Sequence, residues 1–249
     1  MLAQERHERI VQMIRTEGPI EVGALAARLG VSQATVRRDL IQLDLDRRLT
    51  RVYGGAMSVD NDEPFSEVAA VRVSEKDAIA QRSLELIKDG ETILLDIGTT
   101  AHRLAGALHG RSLTVITSSL AVYEELADDA EIQLILLGGV VRRTYRSLVG
   151  FLTEDALRQV HADRLFLGTS GLRPDGSVMD TTVAEVSIKR AMIAAADQVV
   201  LLADATKFPG TGSARVCGPD ALDIVVTNHG VDAVTRAVLD EADVEVIEA

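Results

Sequence analysis

The 249-residue sequence predicts an α/β protein in two parts: a small N-terminal winged helix-turn-helix domain, then a mainly parallel, Rossmann-like α/β domain. Three observations predict this. The first is a charge step: residues 1–57 hold nine Arg and no Lys against seven acids, a net of +2, whereas residues 58–249 carry −14 of the overall −12. The second is a helix, a glycine turn and a second helix over about residues 20–39. The third is a regular alternation, beyond residue 75, of short continuous apolar runs with helical stretches. The expected domains are 1–57 and 75–249, with a linker over 58–74. The polar, proline-containing run 57–66 marks that linker.

In the first domain Val22, Leu25, Ala26 and Leu29 recur at helical spacing until Gly30-Val31 breaks the pattern. Ser32 is placed to cap a second helix, on which Val36, Leu40 and Leu43 share the core face. Ala34, Arg37, Arg38 and Ile41 lie roughly opposite. An Arg-Arg pair alone is ordinarily a solvated face. On a locally basic module of an acidic chain it fits phosphate attraction, and its place near a helix N-terminus fits guanine O6 and N7 in the major groove. Arg47, Arg48 and Arg51 follow. The alternating segment Leu49–Gly55 predicts a hairpin, a wing that brings Arg51 and Tyr53 to the DNA backbone. The expected contacts to double-stranded DNA are Ser32, Gln33, Thr35, Arg37, Arg38 and Arg51.

In the second domain residues 75–88 read as a helix with Ile79, Ser83, Leu86 and Ile87 on one side. Strands are expected at 92–96, 113–116, 132–137, 165–167, 199–202, 224–226 and 244–247. Helices are expected at 101–108, 119–128, 151–160, 183–196 and 231–241. In such folds ligands bind outside the carboxyl ends of the strands. The loops there are small and hydroxylated: Asp96-Ile97-Gly98-Thr99-Thr100, Thr117-Ser118-Ser119, Gly138-Gly139 and Gly168-Thr169-Ser170-Gly171. Glycine admits close backbone approach, hydroxyls donate to phosphate oxygens, and a helix N-terminus adds free N–H groups. Each loop alone is an ordinary turn or cap; together they point to an anion, for which Lys189 and Lys207 supply charge.

Composition removes several classes. Hydrophobic residues make up 47%, enough for a substantial core, while 3% aromatics and no Trp argue against stacking on single-stranded nucleic acid. The single cysteine, Cys217, leaves no internal disulfide. No run reaches the roughly 18–20 apolar residues of a membrane span, and the charged N-terminus is unlike a secretory signal. His7, His102, His109, His161 and His229 are scattered without metal-site spacing. The expectation is a soluble, cytoplasmic protein with no cofactor and no metal.

The sequence resembles the DeoR family of transcriptional regulators over nearly its whole length. The matching residues are Arg6, Ile10, Ile14, Ser32, Thr35-Val36-Arg37-Arg38-Asp39-Leu40 and Gly54-Gly55-Ala56. One departure is Asp44-Leu45-Asp46-Arg47-Arg48-Leu49, where the family commonly has a glycine. The later segments resemble the family's sensor domain, which is similar in fold to ribose-5-phosphate isomerase and binds a phosphorylated sugar or related metabolite. By that likeness Gly98, Thr99, Thr100 and Lys207 hold phosphate, and Glu185 and Lys189 face the sugar or fix their helix against the pocket. Asp96, Thr117, Ser118, Gly138, Gly139 and Gly171 complete the implied effector site. Ser118 and Thr206 stand where the family often has Asn and Ser.

The resemblance implies a repressor of sugar or carbohydrate genes whose operator binding is relieved by the metabolite. A dimer or tetramer is expected, since two-fold operators match two-fold proteins. The alternative is a sugar-phosphate isomerase-like enzyme fused to a DNA-binding module. Against it, the loop 168–171 carries no acid, and Asp175 lies in a turn sequence, although Asp96 and Glu185 remain as carboxylates. Fold similarity carries no reaction with it. A ligand-free architectural protein would need no strand-end pocket.

Overall fold

The computed structural model describes residues 3–17, 20–46, 49–52, 55–58, 64–210 and 212–249, excluding the side chains of 12, 15–17, 50–52 and 55–58. The chain forms two compact units, Met1–Asn61 and Asp62–Ala249.

The first unit comprises α1 (Ala3–Glu17), β1 (Ile20–Glu21), α2 (Val22–Leu29), α3 (Gln33–Leu45), β2 (Leu49–Val52) and β3 (Gly55–Ser58). Its small sheet is ordered β1-β3-β2 with antiparallel pairs, so the expected wing is present. Tyr53 and Gly54, at its turn, lie outside the described residues. The turn between α2 and α3 closes because Gly30 takes φ 66°, where a side chain would be strained, and its N–H caps Ala26. Ser32 then accepts the Thr35 N–H at 3.1 Å, starting α3. Val36, Leu40 and Leu43 are at most 1% exposed and pack with Ile10, Ile14, Leu25 and Leu49. Each such burial contributes about 1.5–3 kcal/mol, which outweighs the modest propensity of any one helix position. At its far end α3 needs no glycine. Asp46 keeps a negative φ of −76°, its N–H reaches back to Gln42 O, and the Gln42 amide donates to the Asp46 carboxylate at 3.0 Å.

The second unit begins with α4 (Phe65–Ala70) and α5 (Val73–Leu84). The residues between 65 and 74, expected in the linker, are therefore part of this unit. The reason is Phe65, 3% exposed and packed edge-to-face on His102 and Tyr145. One buried aromatic in a polar run carries no periodicity, so the sequence pattern misses it. The alternation follows: β4 (Thr92–Leu95), α6 (Thr99–Ala107), β5 (Leu113–Thr117), α7 (Leu120–Leu126), β6 (Ile132–Leu136), then the hairpin β7 (Val140–Arg142) and β8 (Ser147–Val149). Next come α8 (Phe151–Leu157), β9 (Ala162–Gly168), β10 (Gly171–Leu172), β11 (Val178–Asp180), α9 (Val183–Ala194) and β12 (Ala196–Leu202). A 3-10 turn at Ala205–Lys207, β13 (Ala214–Cys217), β14 (Ile224–Thr227), α10 (Ala233–Glu241) and β15 (Glu245–Glu248) complete it.

Seven strands form one sheet, ordered β15-β14-β12-β9-β4-β5-β6, and every pairing in it is parallel. Alternate residues serve opposite faces, Leu94, Leu165, Leu167 and Leu201 on one and Ile93, Leu95, Phe166 and Val200 on the other. Burial on both sides explains continuous rather than alternating apolar runs. The chain runs outward from β4 through β5 to β6, then restarts beside β4 at β9 and runs the other way. The strand order therefore reverses between β4 and β9, and a crevice opens there at their carboxyl ends. Two short antiparallel additions, β7-β8 and β10-β11-β13, were not legible in the sequence, because strands of two to four residues are too brief to show a period. Among the described residues, no helix is long and apolar enough to cross a membrane.

Candidate functional site

At the reversal between β4 and β9 lies a cavity of about 230 Å³, entirely within the second unit. Its floor is the start of α6. Gly98 stands at the N-cap in extended conformation with no side-chain cap, so the first N–H groups of a nine-residue helix face the cavity with Thr99 and Thr100. Small residues are required at this crossing. A Cβ on Gly168 would meet Asp96 Oδ2 at 3.2 Å and Gly98 Cα at 3.5 Å. Lys207 reaches the same cavity from the 3-10 turn, which Asp204 sets by accepting the Thr206 N–H at 2.9 Å.

Behind this floor two carboxylate–cation groups are buried. The Lys189 ammonium donates to Asp96 Oδ2 and, at 2.8 Å, to Gly168 O, and stands 3.5 Å from Asp180. The Gly168 N–H donates to the same Asp96 oxygen at 2.9 Å, so the cluster staples β4 to β9 where their ends diverge. Burial works against the charge of Lys189, yet Asp96 and Asp180 hold its pKa above the ordinary lysine value. In the second group Glu185 accepts from Arg142 at 2.6 Å and from Ser147 at 2.8 Å. Burial raises the Glu185 pKa despite those partners. Arg142 also donates to Thr182 at 3.3 Å and lies over the Tyr145 ring, 5.6 Å from its centroid. The Tyr145 phenol is pushed up to about 12 by burial and stays protonated. One oxygen of each of Asp96 and Glu185 is buried without a hydrogen-bond partner among the described residues.

Of the residues expected around an effector, Gly98, Thr99, Thr100, Lys189 and Lys207 line the cavity. Asp96 and Glu185 stand one contact behind it, through Lys189 and Arg142. Thr117, Ser118, Gly138, Gly139 and Gly171 are not in its wall. Thr117 is fully buried, bonding Leu95 O and the Ser119 N–H. Ser118 is buried and gives its carbonyl to Leu148, in β8. Gly138 O accepts from Thr153, a Cβ on Gly139 would collide with that same side chain, and Gly171 pairs in β10. These loops make turns against neighbouring elements. The sequence reading missed Arg72, Lys76, Arg142, Tyr145, Asp180 and Thr182, all in the cavity wall. The one available signal was a basic pair, Arg142-Arg143, in an otherwise acidic domain.

The first unit offers a different surface. Gln33, Arg37 and Arg38 are exposed on the outer face of α3. Among the described residues Arg37 hydrogen-bonds to Gln33, at 3.2 Å, and Arg38 to Ala34 O, at 3.4 Å, so both guanidinium groups keep donors for an incoming base edge. Ser32 and Thr35 are engaged in the cap of α3. Arg51 lies in β2, and its side chain is outside the described part. The helix is held from behind by Asp39, 6% exposed, which takes Arg6 through two bonds of 2.5 and 2.9 Å and His7 at 3.0 Å. Burial opposes the Asp39 charge, but Arg6 and His7 prevail and lower its pKa.

Residues 6–62 match the model of the DeoR-like helix-turn-helix domain, and residues 71–229 match that of the DeoR C terminal sensor domain. The chain belongs to the DeoR family. Similar relatives include the HTH-type transcriptional regulator YulB of Bacillus subtilis, 32% identical over 99% of this chain and 96% of that one. The glycerol-3-phosphate regulon repressor of Escherichia coli K12 is 32% identical over 92% of each chain. The putative aga operon transcriptional repressor of Escherichia coli O157:H7 is 30% identical over 98% of this chain and 93% of that one. Among solved structures, ribose 5-phosphate isomerase A of Methanocaldococcus jannaschii aligns at 18% identity and a TM-score of 0.40, over 53% of this chain and 52% of that one. This DeoR-family protein is a DNA-binding transcriptional regulator, and its named relatives are regulators and repressors rather than enzymes.

Proposed function

We propose that this DeoR-family protein is a cytoplasmic repressor of carbohydrate genes, released from its operator by a phosphorylated sugar or related metabolite bound in the cavity of the second unit. The observation that carries this reading is the uncapped N-terminus of α6, flanked by close-packed glycines and opening into a cavity with Lys207. Backbone N–H groups, two threonine hydroxyls and an ammonium are the donor set that a phosphate monoester takes. The hydroxyls of Ser170 and Thr182, with Asp180, supply polar partners for the polyol portion. Lys189, itself in the wall, fixes Asp180, and Glu185 acts from behind by fixing Arg142. One of the similar proteins is named a glycerol-3-phosphate regulon repressor, which favours a phosphorylated metabolite.

On the DNA side, Arg37, Arg38 and Gln33 read base edges. Ser32 and Thr35 present the helix start to a phosphate, and Arg51 supports from the wing. The two units are joined by a linker ahead of α4. The protein acts as a dimer or tetramer, so that two recognition helices meet half-sites one helical turn apart. The test is a thermal-shift screen of phosphorylated sugars on the full chain, followed by operator titration with the compounds that stabilise it. A ligand that binds only the native state raises stability by mass action, and the same compound must weaken operator binding. Stabilisation by the unphosphorylated sugars alone would sink the phosphate assignment.

A further inference from the structure

The start of α5 places a buried cation in the cavity that the proposed phosphate site does not use. Lys76 is 5% exposed and lines the cavity with Arg72, Val71 and Val68. Its ammonium donates to the carbonyl of Val68, in α4, and forms no ion pair among the described residues. An ammonium has three N–H donors; one goes to α4, which leaves two for the cavity. Lys207 lines the same cavity, and its charge opposes that of Lys76, as does that of Arg103. Burial is the main cause that lowers the Lys76 pKa, and Asp204, in the same wall, offsets it only in part. Two like charges facing one enclosed space are what an anion between them relieves.

α4 is set to feel that anion. It is held at its start, where Phe65 packs on Tyr145 and His102 and its N–H donates to Thr144 O at 3.0 Å. At its end the chain turns into α5 through Arg72, whose φ of 53° is a left-handed conformation that is costly without glycine. Between those points the Lys76–Val68 hydrogen bond ties α4 to the cavity wall. Among the described residues α4 is also the first element of the second unit, which begins at Asp62.

We propose that Lys76 binds the ligand's anionic group alongside Lys207 and, through Val68, fastens α4 to the bound ligand, making α4 the strap that relays occupancy toward the DNA-binding unit. The inference rests on the phosphate site proposed above. One ammonium bridges the anion and the main chain of α4, so filling the cavity restrains the helix at the start of the second unit. A ligand that makes contact only at the α6 N-terminus and Lys207 would bind without reaching this segment.

The test follows backbone hydrogen exchange of residues 65–72 in the full chain, with inorganic phosphate as probe, alongside its binding curve. In the parent, saturating phosphate slows exchange across α4. Lys76→Met keeps the apolar stem but removes the charge. It should raise the phosphate Kd about tenfold, as expected for one charge-assisted hydrogen bond, and abolish the α4 response even at saturation. Lys76→Arg should recover both in part, which separates charge from folding. Lys207→Met should weaken phosphate but leave the α4 response intact once the site is filled. The inference is overturned if Lys76→Met binds phosphate like the parent and merely exchanges faster at α4 without ligand, since Lys76 would then be a structural tie. It is also overturned if phosphate binds the parent and α4 does not respond. If the parent binds no phosphate, or Lys207→Met binds it unchanged, the phosphate site itself is wrong and the strap falls with it.

Discussion

The two units use cations in opposite ways. On α3, Arg37 and Arg38 stand in solvent with only weak contacts along their own helix, and their donors are available. Around the cavity, Lys189 and Arg142 are nearly fully buried, Lys189 held by Asp96 and Asp180 and Arg142 by Glu185. A cation in water contributes little to stability and is kept for what it will meet. Where a buried cation is paired, as at Lys189 and Arg142, removing its partner is far more damaging than replacing the whole pair. Substitution should therefore separate the two units cleanly, with function lost at the first and folding at the second.

The largest effect expected is at Lys189. Lys189→Met leaves Asp96 buried without its cation and should destabilise the second unit by about 3–5 kcal/mol, measured by urea unfolding. A loss under about 1 kcal/mol would mean that the buried pair matters little to folding and the contrast with the surface arginines fails.

Lys207→Ala sits between the extremes, being half-buried and without a carboxylate partner among the described residues. It should leave operator affinity intact while shifting the metabolite response ten- to hundredfold, from about 1.5–3 kcal/mol of lost charge-assisted contact. Linkage requires operator DNA to weaken metabolite binding by the factor with which metabolite weakens DNA binding. An unshifted response in operator titrations would place the phosphate elsewhere.

Arg38→Ala should cost about 1–3 kcal/mol of operator affinity, relax preference at one base pair and leave the melting curve unchanged. Equal loss on operator and random DNA would move Arg38 to the phosphate backbone. A smaller effect, on stability alone, is expected from the buried exception in the first unit. Because Arg6 and His7 depress the Asp39 pKa, their stabilisation is fully present above the unfolded carboxylate value, near 3.8, and is lost as pH falls through the folded value. Asp39→Asn should therefore be less stable than the parent at neutral pH, with the gap closing below about pH 4. A gap that persists into acid would point to packing rather than charge. Smallest is Ser32→Ala, which removes the α3 cap and should lower stability by about 1 kcal/mol in thermal unfolding.

The same contrast explains what was legible. The helix-turn-helix could be read residue by residue because its determinants are local: Gly30 at a left-handed turn, Ser32 three residues before the N–H it caps, and the core face of Val36, Leu40 and Leu43. The parallel sheet was legible for a related reason, since strands buried on both faces are written as uninterrupted apolar runs. The loop Asp96–Thr100 could be singled out as a strand-to-helix turn, and Gly98, Thr99 and Thr100 do line the cavity.

Periodicity is a property of a segment, so sequence alone determined element types, the charge step, the exposed arginine pair and the glycine-rich turns. Which turns converge is a property of strand order, and only the tertiary structure decided it. By reversing the order between β4 and β9, the fold brings Gly98 to Gly168 and leaves Thr117, Ser118, Gly138 and Gly139 outside the cavity. The pairing of Lys189 with Asp96, 93 residues away, and of Arg142 with Glu185, 43 away, is fixed by desolvation inside the packed unit. No spacing encodes it, because a buried charge takes whichever partner the assembled core sets beside it.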